Sequence, residues 1–168
     1  MRIAWLALLM ALVTGCGSGG SVTGNTGDPG SGPEPVPTRA TVSIGTQAAS
    51  AETVIYGVQL VVHLPAGVTV SADPVTGEPL PGVLQSADSG MLAGARYRPA
   101  TTTARGSVQV VIADAGGFAV GNLATLTCVV APGATASPAG FTLEGFTASD
   151  PNGVAMPGIT ARLSVQTQ

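Results

Sequence analysis

Lysine is missing from this chain altogether, histidine occurs once, cysteine twice, and aromatic residues make up 4 % of the 168 positions. Each shortage closes off a class of function. The six basic residues are all arginine, the formal net charge is −3, and nothing resembles a basic patch, so nucleic acid is not an expected partner. His63 as the single histidine rules out a two-histidine metal site and leaves no choice of imidazole general base. Two cysteines, Cys16 and Cys128, cannot build a disulfide framework. Charged residues reach only 9 %, which disfavours long solvated helices. What the chain has instead is glycine (24) and proline (13), the composition of many short strands joined by tight turns.

The clearest strand is Gly121-Asn122-Leu123-Ala124-Thr125-Leu126-Thr127-Cys128-Val129-Val130. It places Leu126, Cys128 and Val130 on one side and Thr125, Thr127 and Val129 on the other. Pro132 and Gly133 end it. It reads as a central strand, with Cys128 a small buried hydrophobe. Val42 and Ile44 alternate in the same way. So do Val58, Leu60, Val62 and Leu64, with Gln59, Val61 and His63 on the opposite side. Val108, Val110 and Ile112 form a further inward set, with Gln109 and Val111 outward. Thr46 to Thr53 reads as a small-residue connection. Val83 to Gln85, Met91 to Ala93 and Ala95 to Arg98 read as separate short strands whose register the pattern leaves open. Asp114-Ala115-Gly116-Gly117 has turn chemistry and is expected to send the chain toward the central strand. Asp150-Pro151-Asn152-Gly153 is a further turn, before a closing strand from Ile159. No window carries a helical period. The expectation is an all-β jelly-roll sandwich of eight or nine strands over residues 39–168.

The N-terminal part has a different texture. Arg2 and the apolar run Ile3 to Val13 are laid out as a secretory signal, too short for a bilayer-spanning helix. The run ends in Val13-Thr14-Gly15-Cys16, which resembles the lipobox of bacterial lipoproteins. That resemblance implies a signal peptide over residues 1–15 and a lipid-modified Cys16. With Gly17 following, it also implies delivery to the outer membrane of the cell envelope, facing the periplasm or the cell surface. Residues 17–38 are Gly-, Ser- and Pro-rich with almost no apolar side chains. They read as a tether that holds the domain off the membrane.

Within residues 39–168, three pieces together resemble cohesin domains, which share a fold with certain cellulose-binding modules. They are Val42-Ser43-Ile44-Gly45, Tyr56 to Pro65, and Gly121 to Thr127, followed by the Asp150 to Gly153 turn. Cys128 stands where such domains more often carry an aromatic. The resemblance implies a nine-stranded jelly roll that binds a protein partner, usually a dockerin module, through one sheet face. No dockerin-contacting residue can be matched one by one.

The side chains themselves suggest no catalytic centre, and the chain is read as a non-catalytic binding module. His63 has no Gly-x-Ser-x-Gly elbow beside it. Most of the domain's carboxylates sit in turns, where Asp serves its own backbone. Calcium stays open as an alternative but has no Asp-x-Asp-x-Asp-Gly loop, and no cofactor is expected apart from the lipid on Cys16. Polysaccharide binding or accessory work is the second reading, weakened because only Tyr56, Tyr97, Phe118, Phe141 and Phe146 remain as rings and the phenylalanines suit a core. A structural cell-surface subunit is the third. The candidate partner-binding face is Gln59, Val61, His63, Gln109 and Val111, polar groups interleaved with valine.

Overall fold

A computed structural model describes residues 38–168. The expected signal peptide, Cys16 and the tether up to residue 37 lie outside the described residues. Thr38, read as the tether's last residue, is already held: its N–H donates to Gln168 O and its carbonyl accepts from Val130 N–H.

The described chain forms nine strands: β1 (Arg39–Ala48), β2 (Val54–His63), β3 (Val68–Thr69), β4 (Leu84–Ser86), β5 (Leu92–Arg98), β6 (Ser107–Ala119), β7 (Asn122–Val130), β8 (Thr142–Ser149) and β9 (Ile159–Thr167). A single 3-10 turn, Pro138–Gly140, interrupts the small-residue loop after β7. Two antiparallel sheets result. The first has the order β3-β7-β1-β9, with β4 also on β7, and the second the order β5-β6-β2-β8. The protein is therefore an all-β sandwich.

Alternation explains what lies between the sheets. Val42 and Ile44 on β1 and Leu126 and Cys128 on β7 are fully buried, as are Leu60 and Val62 on β2 and Val108, Val110 and Ile112 on β6. Within the second sheet Val58 faces Ile112, Leu60 faces Val110, and Val62 faces Val108. These β-branched and Leu side chains are the type that packs on a pleated surface, and they form one continuous core. β7 has partners on both sides, as expected of a central strand.

Three expectations fail, each for a local reason. Asp114 to Gly117 does not turn the chain back. β6 continues through it to Ala119, and pairing with β2 steps from Gly57↔Ala113 to Ile55↔Phe118, so these residues form a bulge. The turn chemistry is real, since Gly116 N–H donates to Asp114 Oδ1 at 2.7 Å, but it kinks a strand and the reversal comes at Val120-Gly121. Leu92 to Arg98 is one strand, because Gly94 stays in register opposite Val111. β1 runs on to Ala48, where Gln47 and Ala48 pair with Thr160 and Ile159.

Candidate binding face

The outward side of the second sheet is a four-strand surface whose register can be read row by row. Arg96, Gln109, Val61 and Glu144 lie side by side across β5, β6, β2 and β8. The neighbouring row is Arg98, Ser107, His63 and Thr142. On the other side comes Gly94, Val111, Gln59 and Thr147. All five residues singled out from the sequence, Gln59, Val61, His63, Gln109 and Val111, fall on this one surface, on the two adjacent central strands. Val111 is 45 % exposed, Gln59 is exposed, and Val61, His63 and Gln109 are partly buried by their neighbours. No strand of the described chain covers them.

The flanking strands supply charge. β5 sets Arg96 and Arg98 at one margin, both exposed. β8 sets Glu144 at the other, where its Oε2 lies 2.7 Å from His63 Nε2. That contact crosses diagonally between β2 and β8. Beyond it β8 bulges: pairing jumps from Val61↔Glu144 to Gln59↔Thr147, with Gly145 at φ +62° taking the left-handed position. The surface thus grades from positive through a valine-and-glutamine centre to negative. Sequence reading missed Arg96, Arg98 and Glu144, because alternation on a single strand does not reveal which strand lies beside which. Only the Arg-x-Arg spacing at 96 and 98 hinted that both share a side.

The remaining candidates fall elsewhere. Cys128 is completely buried on β7, and burial pushes its thiol up to about 12. Phe141 is buried, while Phe118 and Phe146 are half-buried against the core. Tyr97 packs its ring on the core from β5; burial raises its phenol pKa, with a backbone hydrogen bond at Val70 acting the other way. Tyr56 is partly buried beside the β6 bulge. Four aspartates serve their own turns. Asp73, Asp88, Asp114 and Asp150 each accept a hydrogen bond from the N–H two residues on, at 2.8, 3.1, 2.7 and 2.9 Å respectively. Among the described residues no group of three or more His, Cys, Asp or Glu side chains is placed to hold a metal ion.

No protein-family model, no curated protein and no solved structure matches this chain.

Proposed function

We propose that the chain is a lipid-anchored, non-catalytic binding module of cohesin-like character that recruits a protein partner, dockerin-like in kind, through the outward face of its second sheet. The observation that carries this reading is the open four-strand surface itself. Val61 and Val111 sit at its centre among Gln59, Gln109 and His63, with arginines at one margin and a glutamate at the other. An apolar centre inside a polar, charged rim is the anatomy of a protein interface, and opposite charges at the two margins would orient the partner. In this reading Cys16 carries the acyl chains, and residues 17–37 provide reach from the outer membrane.

The test uses Val61→Glu and Val111→Glu, each checked for an unchanged cooperative melt, against wild-type protein in capture of dockerin-bearing proteins from the parent cells. A charge forced into the centre of an interface loses its solvation without gaining a partner. Affinity should therefore fall by about tenfold or more. Folded variants that capture the same proteins as strongly would remove this face from consideration. The anchor has its own test. Cys16→Ser is expected to abolish metabolic fatty-acid labelling of the protein, and labelling that persists would end the lipoprotein reading.

A further inference from the structure

The two sheets have four edges between them, and three are cut short or partly occupied. β3 and β4, which flank β7, are two and three residues long. β5 is occupied toward its end, where Tyr97 N–H donates to Gly77 O at 2.7 Å. β8 is broken by the bulge at Gly145, and beyond it Ala148 O accepts from Met156 N–H at 2.8 Å while Ser149 bridges Ala155. Short strands, bulges and covering loops are the usual devices that stop a sheet from pairing with another chain. β9 has none of them. It runs nine residues, Ile159–Thr167, without proline, glycine or lysine, and its pairing with β1 is unbroken from Ala48↔Ile159 to Ala40↔Thr167.

The ladder fixes which backbone groups of β9 are free. Arg39 and Gln168 exchange both of their bonds, at 3.0 and 2.9 Å. Bonded pairs alternate along an antiparallel ladder, so Thr160, Arg162, Ser164 and Gln166 also turn their N–H and C=O groups toward β1. Ala161, Leu163, Val165 and Thr167 turn theirs outward, and these groups have no hydrogen-bond partner among the described residues. The core is thinly covered along the same margin. Leu163 and Val165 are only half-buried against it, whereas Ile44 and Val42, opposite them on β1, are fully buried.

The strand is complementary to itself. Set antiparallel to a second β9 with Ser164 opposite Ser164, all four outward residues find partners: Ala161 pairs with Thr167 and Leu163 with Val165, each twice. That register forms about eight backbone hydrogen bonds, and a shift either way leaves part of the edge unpaired. Leu163 meets Val165 on the inner side, where each covers what the other leaves exposed. On the outer side Arg162, the one charged residue of β9, meets Gln166. The two arginines stand about 14 Å apart, beyond the screening length of about 8 Å at physiological salt, so no like charges oppose the pairing. We propose that two copies of this chain associate through antiparallel β9–β9 pairing about a two-fold axis at Ser164. The first sheets of both copies then form one continuous sheet. The contact uses none of the residues on the outward face of the second sheet.

Cysteine cross-linking tests both the contact and its register. Ser164→Cys and Thr160→Cys are made in the full chain carrying Cys16→Ser, in which the remaining thiol, Cys128, is buried. Both positions are exposed on the same strand, so neither change should alter the melt. The two copies of residue 164 would face each other with Cα atoms about 4.5 Å apart, within disulfide range, and the two copies of residue 160 would stand about 27 Å apart. Mild oxidation should therefore give a disulfide-linked dimer from Ser164→Cys and monomer from Thr160→Cys. Sedimentation equilibrium of the same Cys16→Ser chain adds a test without cross-linking. Ser164→Glu sets two carboxylates directly opposite and should weaken self-association by about fivefold or more, while Thr160→Glu leaves it unchanged. Four results would overturn the inference: Ser164→Cys that stays monomeric while folded, equal cross-linking at 160 and 164, Ser164→Glu that associates like its parent, or a residue-164 disulfide to a different protein in the parent cells, which would give the edge to a foreign strand.

Discussion

Cys128 shows how one residue's environment sets its chemistry. Its thiol sits on β7 with no exposed surface, and desolvation pushes its pKa from 9.0 up to about 12. A thiol that keeps its proton is a poor nucleophile, so native Cys128 should resist alkylating reagents at pH 8 and react once the protein is denatured. Mass spectrometry after timed labelling checks this. The same shift has a stability consequence. The folded pKa is raised above the unfolded one, so the protonated thiol contributes its full stability below about pH 9. That contribution is lost as pH rises toward 12, because the unfolded chain releases the proton first. Between those limits wild-type stability should fall by up to about 1.4 kcal/mol per pH unit from this group alone. Cys128→Ala should lack that component in denaturant melts across the same range. Asp73 has the opposite sign. The Thr76 and Val75 N–H groups lower its pKa, which means that the 73–76 turn is held above the usual carboxylate range and loosens only as pH falls below it. Hydrogen exchange at Val75 and Thr76 should accelerate there relative to the neighbouring loop.

At the scale of the element, bulges decide which way side chains face. On β7 the pairing steps from Ile44↔Ala124 to Gly45↔Asn122, and as a result Leu123 and Ala124 are both buried although adjacent in sequence. On β6 the Asp114 to Gly117 bulge adds residues without ending the strand, and on β8 Gly145 lets Glu144 and Thr147 both stay on the outward face. Two glycines at positive φ separate two kinds of constraint. Gly145 has open space where a Cβ would go, so Gly145→Ala should cost only the left-handed backbone penalty, about 1 kcal/mol. A Cβ on Gly117 would stand 2.5 Å from Val54 Cγ1 and 3.0 Å from the Tyr56 ring, so Gly117→Ala must also displace β2 side chains. It should lose at least about twice as much stability as Gly145→Ala. Paired urea denaturations compare them, and equal costs would mean that the β6 bulge has room the packing does not show.

The described molecule is held together by pairings distant in sequence. β1, at its start, lies between β7 and β9, and β9 is its last strand. β2 likewise joins β6 and β8. The strands of each sheet come from both ends of the described chain, so the core closes only when the last strand arrives. Truncation after Gly158 would remove β9, strip Ile159 from the core and expose the unpaired edge of β1. Such a chain should lose its cooperative thermal transition, which circular dichroism would detect. A truncated chain that still melts sharply would show that the β7-β1 pair and the second sheet suffice. Folding dominated by such non-local pairing is expected to be slow for a domain of this size.

The limits of the sequence can be traced to distance along the chain. Alternation is a local property, and it placed Val42, Ile44, Leu60, Val110 and Cys128 in the core and Gln59, Val61, His63, Gln109 and Val111 on the outside without any knowledge of strand order. The glycine- and proline-rich turns between the alternating runs are local too, and together with that alternation they were enough for an all-β sandwich of eight or nine strands. Aspartate followed two residues later by its own hydrogen-bond donor is equally local, which is why the turn role of Asp73 and Asp150 was legible. Strand neighbours are not local. Whether Asp114 to Gly117 turns or bulges depends on β2 continuing beside it to Val54, and the continuity of β5 depends on Val111 standing opposite Gly94. The charged margins of the sheet face join residues that meet only when β5 and β8 take the two edges. Those juxtapositions arise from the hydrogen-bonded register between strands, and register is settled by packing the whole core at once.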